Sequence, residues 1–212
     1  MKALNYENGA PSFVAEFAQH QSNVFWSPRA EQALRYYRNL IRMFPDSPQA
    51  YGALAFCYYH YGDDRKAVRY YKRAIELGPH LFGFYYNLGY VYVKLNMYDE
   101  AIAILKQAVE KSPNSTLEYP YVVIPDETGK GGGADRQQTM FNLRKIYEKC
   151  YKLMIFSLWS KKDYAGMLAI AKARLANGSL DQGDYLYYAG AASFYLKQYN
   201  AAYHFLRQAD KL

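Results

Sequence analysis

Two consecutive stretches of the chain decide its fold. Residues 48–81 read PQAYGALAFCYYHYGDDRKAVRYYKRAIELGPHL, and residues 82–115 read FGFYYNLGYVYVKLNMYDEAIAILKQAVEKSPNS. With a shift of 34 residues, the same or similar residue types coincide at many positions. The clearest matches are Tyr51 with Tyr85, Leu54 with Leu88, Ala55 with Gly89, Tyr58 with Tyr92, Ala67 with Ala101 and Pro79 with Pro113. Agreement at one fixed period indicates an internal repeat.

Each stretch has the hydrophobic pattern of a helical hairpin. In its first half, apolar residues stand at i, i+3, i+4 and i+7, which is one face of a helix. In residues 48–81 this face is Tyr51, Leu54, Ala55 and Tyr58. Gly62 marks a turn, and Ala67, Tyr71 and Ala74 then share one face of a second helix. Pro79 ends the unit because proline cannot donate the next helical hydrogen bond.

The same pattern continues on both sides of these stretches. Upstream, Ala33, Tyr37 and Leu40 match a second helix, and Ser27 and Pro28 are typical of its start. The pattern returns near the C-terminus at Gly190, Tyr199, Ala202, Leu206 and Ala209. Between them we expect a degenerate unit, with a long helix from about Arg136 to Ser160 and a second from about Asp163 to Ala176.

These residues resemble the tetratricopeptide repeat (TPR), whose 34-residue pattern is W-x-x-L-G-x-x-Y, then A-x-x-x-F, then A and P. Residues 48–115 match it closely as two consecutive units. The resemblance implies an all-α fold, a right-handed superhelix of helical hairpins. It also implies a protein that binds peptides or proteins, with the first helices of the hairpins lining the concave side.

We expect a single TPR-like domain over residues 1–212. Its parts are an N-terminal cap region (1–27), a partial repeat (28–47), two clear repeats (48–81 and 82–115), an irregular insertion (114–135), a degenerate repeat (136–180) and a C-terminal repeat (181–212). In the insertion, Pro120 and Pro125 forbid a regular helix and residues 129–133 are rich in glycine. We hypothesise that residues 119–124 pack against the concave face; a passive surface connection is the alternative.

The first helices carry a second face that is aromatic where a solvated helix would be polar. This face predicts a binding groove for a protein or peptide segment, since buried aromatic residues dominate binding energy. The predicted ligand-binding residues are Phe56, Tyr59, His60, Tyr86, Asn87, Tyr90, Lys94, Tyr187 and Phe194. For Tyr86 and Tyr187, packing against neighbouring repeats is an equal alternative. Some TPR proteins grip a C-terminal carboxylate with lysine and asparagine; here Gly52 and Phe56 replace two of those residues, which favours an apolar or aromatic-rich ligand.

The leading interpretation is a non-catalytic scaffold or adaptor. A self-associating structural module is the alternative, and an RNA-binding repeat protein is less favoured. The net charge of +7 admits an acidic partner. Arg38, Lys72, Lys106 and Arg207 occupy equivalent sites on second helices and predict a basic line on the outer surface, away from the tyrosines.

The sequence offers no positive case for catalysis, a cofactor or a metal. Residues 129–133 read GKGGG, but no Gly-Lys-Ser/Thr follows and no βαβ pattern surrounds them. The four histidines have no ligand spacing, and Cys57 and Cys150 read as buried free thiols. No apolar run is long enough to span a membrane and residues 1–8 lack a signal-peptide core, so we expect a cytoplasmic protein unless an export signal precedes this sequence.

Overall fold

The computed structural model describes the backbone of residues 28–111 and 136–212, and the side chains of residues 31–111 and 145–212. The predicted cap region (1–27) and the whole of the predicted insertion (114–135) lie outside the described residues. Within the described ranges there are nine helices and no strand. They are α1 (Pro28–Met43), α2 (Pro48–His60), α3 (Asp64–Leu77), α4 (Phe82–Lys94), α5 (Tyr98–Glu110), α6 (Arg136–Ser160), α7 (Tyr164–Ala176), α8 (Gln182–Tyr195) and α9 (Tyr199–Ala209). The all-α, right-handed superhelical class predicted from the sequence is confirmed.

Three of the helices, α2, α3 and α7, begin at a side-chain cap. The Ser47 hydroxyl accepts a hydrogen bond from the backbone N–H of Ala50, and Pro48 stands at the first helical position of α2. Asp63 caps α3 by accepting from the N–H of Lys66, and Asp163 caps α7 by accepting from the N–H of Gly166. Each cap satisfies a donor that the first helical turn leaves free.

Each first helix ends with the same turn. A residue with positive φ stands two positions before the next helix: Gly62 (79°), Asn96 (59°), Lys162 (60°) and Lys197 (61°). The following N–H reaches back over the turn, for example from Asp63 to the carbonyl of Tyr58 at 2.9 Å and from Met97 to that of Tyr92 at 2.9 Å. This is the pattern of a Schellman motif, and it folds the second helix back onto the first.

The hairpins α2–α3, α4–α5, α6–α7 and α8–α9 stack in chain order, and each second helix also packs on the first helix of the next hairpin. Small residues make the contact inside the hairpins, since Ala55, Ala67 and Ala101 are fully buried. One buried core runs from α1 into α6, and a second spans α6 to α8. Cys57 and Cys150 are free thiols buried in the first core. Burial raises the pKa of Cys57 to about 11 and that of Cys150 further, so both remain protonated near neutral pH.

Candidate functional site

Five of the nine predicted ligand-binding residues gather into one cluster across α2 and α4. We call Phe56, Tyr59, His60, Tyr90 and Lys94 the N-terminal aromatic cluster. The rings of Phe56 and His60 are 4.1 Å apart, and those of Tyr59 and Tyr90 meet edge to face at 5.7 Å. The Nζ atom of Lys94 lies 4.8 Å from the Tyr59 ring centroid, within cation–π range. Phe56, Tyr59 and Tyr90 are all half-buried, so each residue keeps part of its surface accessible.

The charge in this cluster is already neutralised. Lys94 Nζ donates to Asp64 Oδ1 at 2.9 Å, and only 15% and 14% of the two side chains are exposed. Burial, followed by the neighbouring Tyr90, raises the pKa of Tyr59 far above its usual range. His60 is exposed as a residue, but its ring lies against Phe56 and Tyr59; desolvation and then Lys94 lower its pKa below the ordinary 6.5. At neutral pH the cluster therefore presents mainly uncharged aromatic surface.

Tyr86 and Asn87 are residues of α4 that lie near neighbouring helices, Tyr86 toward α6 and Asn87 toward α3. Tyr86 is half-buried and stacks on Phe82, whose ring is 6.1 Å from that of Tyr147 in α6. Burial, followed by Cys150, raises the pKa of Tyr86. A side-chain hydrogen bond joins Asn87 to Tyr71, which is only 1% exposed. Both residues thus contribute to contacts between hairpins.

Tyr187 and Phe194 belong to a separate part of the molecule. Tyr187 is half-buried against the second core. Phe194 is 55% exposed and lies 5.7 Å from Tyr195 and 5.8 Å from Tyr199, ring centre to ring centre. The nine predicted residues therefore fall into three groups: the N-terminal aromatic cluster, the joint at α4, and the C-terminal hairpin.

Helix α6 also places aromatic residues at the positions of the first-helix face, and these were not among the predicted binding residues. Phe156 stands eight residues before the start of α7, as Tyr90 stands eight before the start of α5. Trp159 stands five before α7, as Tyr59 stands five before α3. Phe156 packs on Tyr98 at 6.1 Å, and Trp159 on Tyr195 at 5.1 Å. Both residues are found by counting back from the observed start of α7, which lies one residue after the predicted start at about Asp163.

A buried polar network explains why the third hairpin departs from the repeat pattern. Arg174 is the eleventh residue of α7, the position of the fully buried Ala74 in α3 and Ala108 in α5. It donates to Glu148 Oε1 at 2.5 Å, and Tyr185 donates its hydroxyl hydrogen to Glu148 Oε2 at 2.8 Å. Burial acts to lower the pKa of Arg174, but the hydrogen bond and charge of Glu148 together raise it. The network joins α6, α7 and α8 and fixes how the last hairpin sits on the third.

The predicted basic line is present on the outer surface, where Arg38, Lys72, Lys106 and Arg207 are all exposed. Two of these cations contact tyrosines of the following first helix at equivalent sites. Arg38 donates to the Tyr58 hydroxyl at 2.6 Å, and Lys72 Nζ lies 6.0 Å from the Tyr92 ring. In the described ranges no group of three or more His, Cys, Asp or Glu side chains could hold a metal ion. None of the helices described here is long and apolar enough to cross a bilayer.

The repeat spacing, the stacked hairpins and a family match over part of the chain define the class of fold, which is a TPR-like array of helical hairpins. The family model of anaphase-promoting complex (cyclosome) subunit 3 matches residues 28–108. No curated protein sequence matches the chain.

Solved structures share the fold at low sequence identity. A crystal structure of MamA is 15% identical, covers 86% of this chain and 87% of its own, and has a TM-score of 0.60. MamA (41-end) from Desulfovibrio magneticus RS-1 is 15% identical, with 95% and 96% covered and a TM-score of 0.58. BtubC from P. vanneervenii is 13% identical, with 95% and 91% covered and a TM-score of 0.51. At such identity the likeness shows the fold alone.

Proposed function

We propose that this chain is a non-catalytic scaffold or adaptor that binds a segment of another protein on the face formed by its first helices. Stacked TPR-like hairpins provide a protein-binding framework, because stacked repeats create extended concave binding surfaces. The observation that carries the proposal is the N-terminal aromatic cluster. Its half-buried rings bridge two successive hairpins, and the accessible part of each residue supports its use as a contact for a partner.

The chemistry of the cluster favours an apolar or aromatic segment. Aromatic side chains that are held in place lose little conformational entropy on binding and commonly supply hot spots. Lys94 is paired with Asp64, so its charge is already satisfied. An acidic ligand would have to break that pair, whereas an apolar side chain could cover the rings of Phe56 and Tyr90 without doing so.

The test has two stages. The bound segment is first identified, and aromatic side chains of the N-terminal aromatic cluster are then replaced by alanine. Affinity capture with the tagged protein, followed by mass spectrometry, would supply candidate segments for titration as synthetic peptides. We expect Phe56→Ala and Tyr90→Ala to weaken binding at least tenfold, with the melting temperature nearly intact. Tyr36→Ala is the matched control, since Tyr36 is 60% exposed on α1, outside the first-helix face.

Two results would contradict the proposal. Unchanged affinity in both variants would place the binding surface elsewhere. A large loss of stability in both would show that the rings serve the core, because a binding residue tolerates truncation in the free protein.

A further inference from the structure

At every described joint between successive hairpins, the first residue of a second helix contacts the next hairpin. Asp64 of α3 pairs with Lys94 of α4 at 2.9 Å. Tyr98 of α5 packs edge-on against Phe156 of α6 at 6.1 Å. Tyr164 of α7 stacks on Tyr195 of α8 at 4.6 Å and an interplanar angle of 16°. In each case a helix of the following hairpin covers this position.

A second position, one turn further along the same helices, behaves in the same way. Val68, Ile102 and Leu168 stand four residues after the starts of α3, α5 and α7. Val68 packs on the first core, and Ile102 and Leu168 on the second. The face that an internal second helix turns toward the next hairpin is therefore partly or fully covered at both positions.

Helix α9 carries large aromatic residues at both positions. Tyr199 is its first residue and is 59% exposed; Tyr203 follows four residues later and is 60% exposed. Among the described residues, no helix packs on this face. An uncovered outer face of a helical repeat is normally polar, and these two positions carry large aromatic rings instead.

These tyrosines continue into the end of α8. We call Phe194, Tyr195, Tyr199 and Tyr203 the C-terminal patch. Phe194 contacts both Tyr195 and Tyr199, so the first three rings form one surface. Because each aromatic side chain offers roughly 150–250 Å² and about half of each is exposed, the patch measures on the order of 400 Å². Apolar patches of that size on a monomer are often functional.

The charges around the patch decide what kind of partner suits it. From residue 197 to residue 212 the ionised side chains are Lys197, Arg207 and Lys211 against Asp210, and all four residues are exposed. A second copy of this chain would bring these cations together, and each copy carries a net charge of +7. Like charges placed face to face oppose association, whereas acidic side chains at the rim would favour it.

We propose that the C-terminal patch docks an amphipathic helix of a partner protein, whose apolar stripe is flanked by glutamate or aspartate. The helix occupies on α9 the place that α4 occupies on α3 and α8 occupies on α7. This surface is separate from the N-terminal aromatic cluster, so the two sites can be occupied together.

The internal joints supply the probe. Helix α8 packs on α7, so its sequence carries an apolar face that fits a second helix of this protein. The probe is therefore a stapled, fluorescently labelled peptide with the sequence of Gln182–Tyr195. In one version Gln182, Gly183 and Ala191, none of which is buried, are replaced by glutamate; in the matched version they are replaced by lysine. Fluorescence anisotropy then gives the affinity of each peptide for the intact chain.

We expect the glutamate peptide to bind at least tenfold more tightly than the lysine peptide. Tyr199→Ser and Tyr203→Ser should each weaken it about tenfold or more without changing the melting temperature, since both side chains are exposed. Tyr36→Ser controls for the loss of an exposed tyrosine, and Phe56→Ala should bind this peptide like the unaltered chain. Because Phe56 belongs to the N-terminal aromatic cluster, Phe56→Ala distinguishes a failure of the C-terminal patch proposal from a failure of the proposed function.

Three outcomes would overturn the proposal. The first is no binding of the glutamate peptide, or equal binding of the two peptides. The second is full affinity in Tyr203→Ser. The third is a concentration-dependent dimer in sedimentation velocity that Tyr199→Ser and Tyr203→Ser dissolve, which would assign the patch to a second copy of the chain.

Discussion

Leu105 fills the space that a side chain at Gly89 would need. A Cβ atom at position 89 would lie 2.6 Å from both Cγ and Cδ2 of Leu105. The same relationship joins Gly190 and Leu206 in the last hairpin, again with 2.6 Å to Cγ. The close approach of first and second helices therefore depends on a missing side chain on one and a leucine on the other.

Replacing this glycine tests the packing of the second clear repeat. We expect Gly89→Ala to lower the free energy of unfolding by about 1–3 kcal/mol, because Leu105 is fully buried and has little room to move. Urea denaturation followed by circular dichroism measures the change. Gly183→Ala is the control, since nothing lies within 4 Å of a Cβ there; it should be neutral or stabilising by up to about 1 kcal/mol. Equal destabilisation by both would contradict the packing argument.

The terminal hairpin should tolerate the same change better. Leu206 is 37% exposed, so its side chain can turn outward when Gly190→Ala adds a methyl group. We expect a smaller loss than in Gly89→Ala, measured in the same urea melts. A loss as large as that of Gly89→Ala would mean that α9 is held as firmly as an internal helix.

The alanine of the second helix tests the repeat register directly. Ala101 is fully buried, so Ala101→Leu should cost on the order of 1–3 kcal/mol through overpacking. Ala103 is exposed on the same helix, and Ala103→Leu should stay within about 0.5 kcal/mol of the unaltered chain. If Ala101→Leu were neutral in a denaturant melt, the deduced register would be wrong.

The Glu148–Arg174 pair should behave as a buried ion pair. Only 6% and 13% of the two side chains are exposed, so removing one partner leaves the other charge uncompensated. Glu148→Leu and Arg174→Leu should each cost about 3–5 kcal/mol, and the double variant should cost less than the sum. The double-mutant cycle in urea measures the coupling. Strict additivity would show that the pair contributes no interaction of its own.

His60 should make stability depend on pH just below neutrality. Desolvation and Lys94 lower its pKa in the folded chain, so the unfolded chain binds its proton more readily. The stability that the neutral His60 side chain contributes to the folded chain is complete above the unfolded pKa of 6.5. It is lost as the pH falls from that value through the lower folded pKa. We expect the melting temperature to fall between pH 7 and pH 5, and His60→Gln to flatten that fall. An identical pH profile in the variant would remove His60 as the cause.

The 34-residue repeat made the two clear hairpins predictable from the sequence. The third hairpin was harder to predict because it departs from that repeat. Leu54 and Tyr58 recur one period later as Leu88 and Tyr92, and all four are buried, as the 3.6-residue period of a helix requires. In the third hairpin, Arg174 stands where Ala74 and Ala108 stand, which breaks the pattern. The break is physically permitted because Glu148 reaches the arginine from α6, and no local rule relates residues 26 positions apart.

The candidate site was predicted in outline. Periodicity identified an extra aromatic face on the first helices, and five of its residues do form the N-terminal aromatic cluster. Helical periodicity alone could not distinguish Tyr90 from Tyr86. Tyr90 packs against Tyr59 in the cluster, whereas Tyr86 stacks on Phe82 near Tyr147 of α6. That distinction depends on the rotation of one hairpin against the next.

By itself, the sequence determined the class of fold, the helix pairs and the turns between them. These features depend on contacts between residues within about 34 positions of each other, and the sequence repeats with that period. Only the tertiary structure decided that Lys94 is neutralised by Asp64, that Arg174 is held by Glu148 and Tyr185, and that Tyr199 and Tyr203 are left uncovered. Charge pairing and exposure depend on how successive hairpins stack, and stacking is set by side-chain shapes from several elements at once.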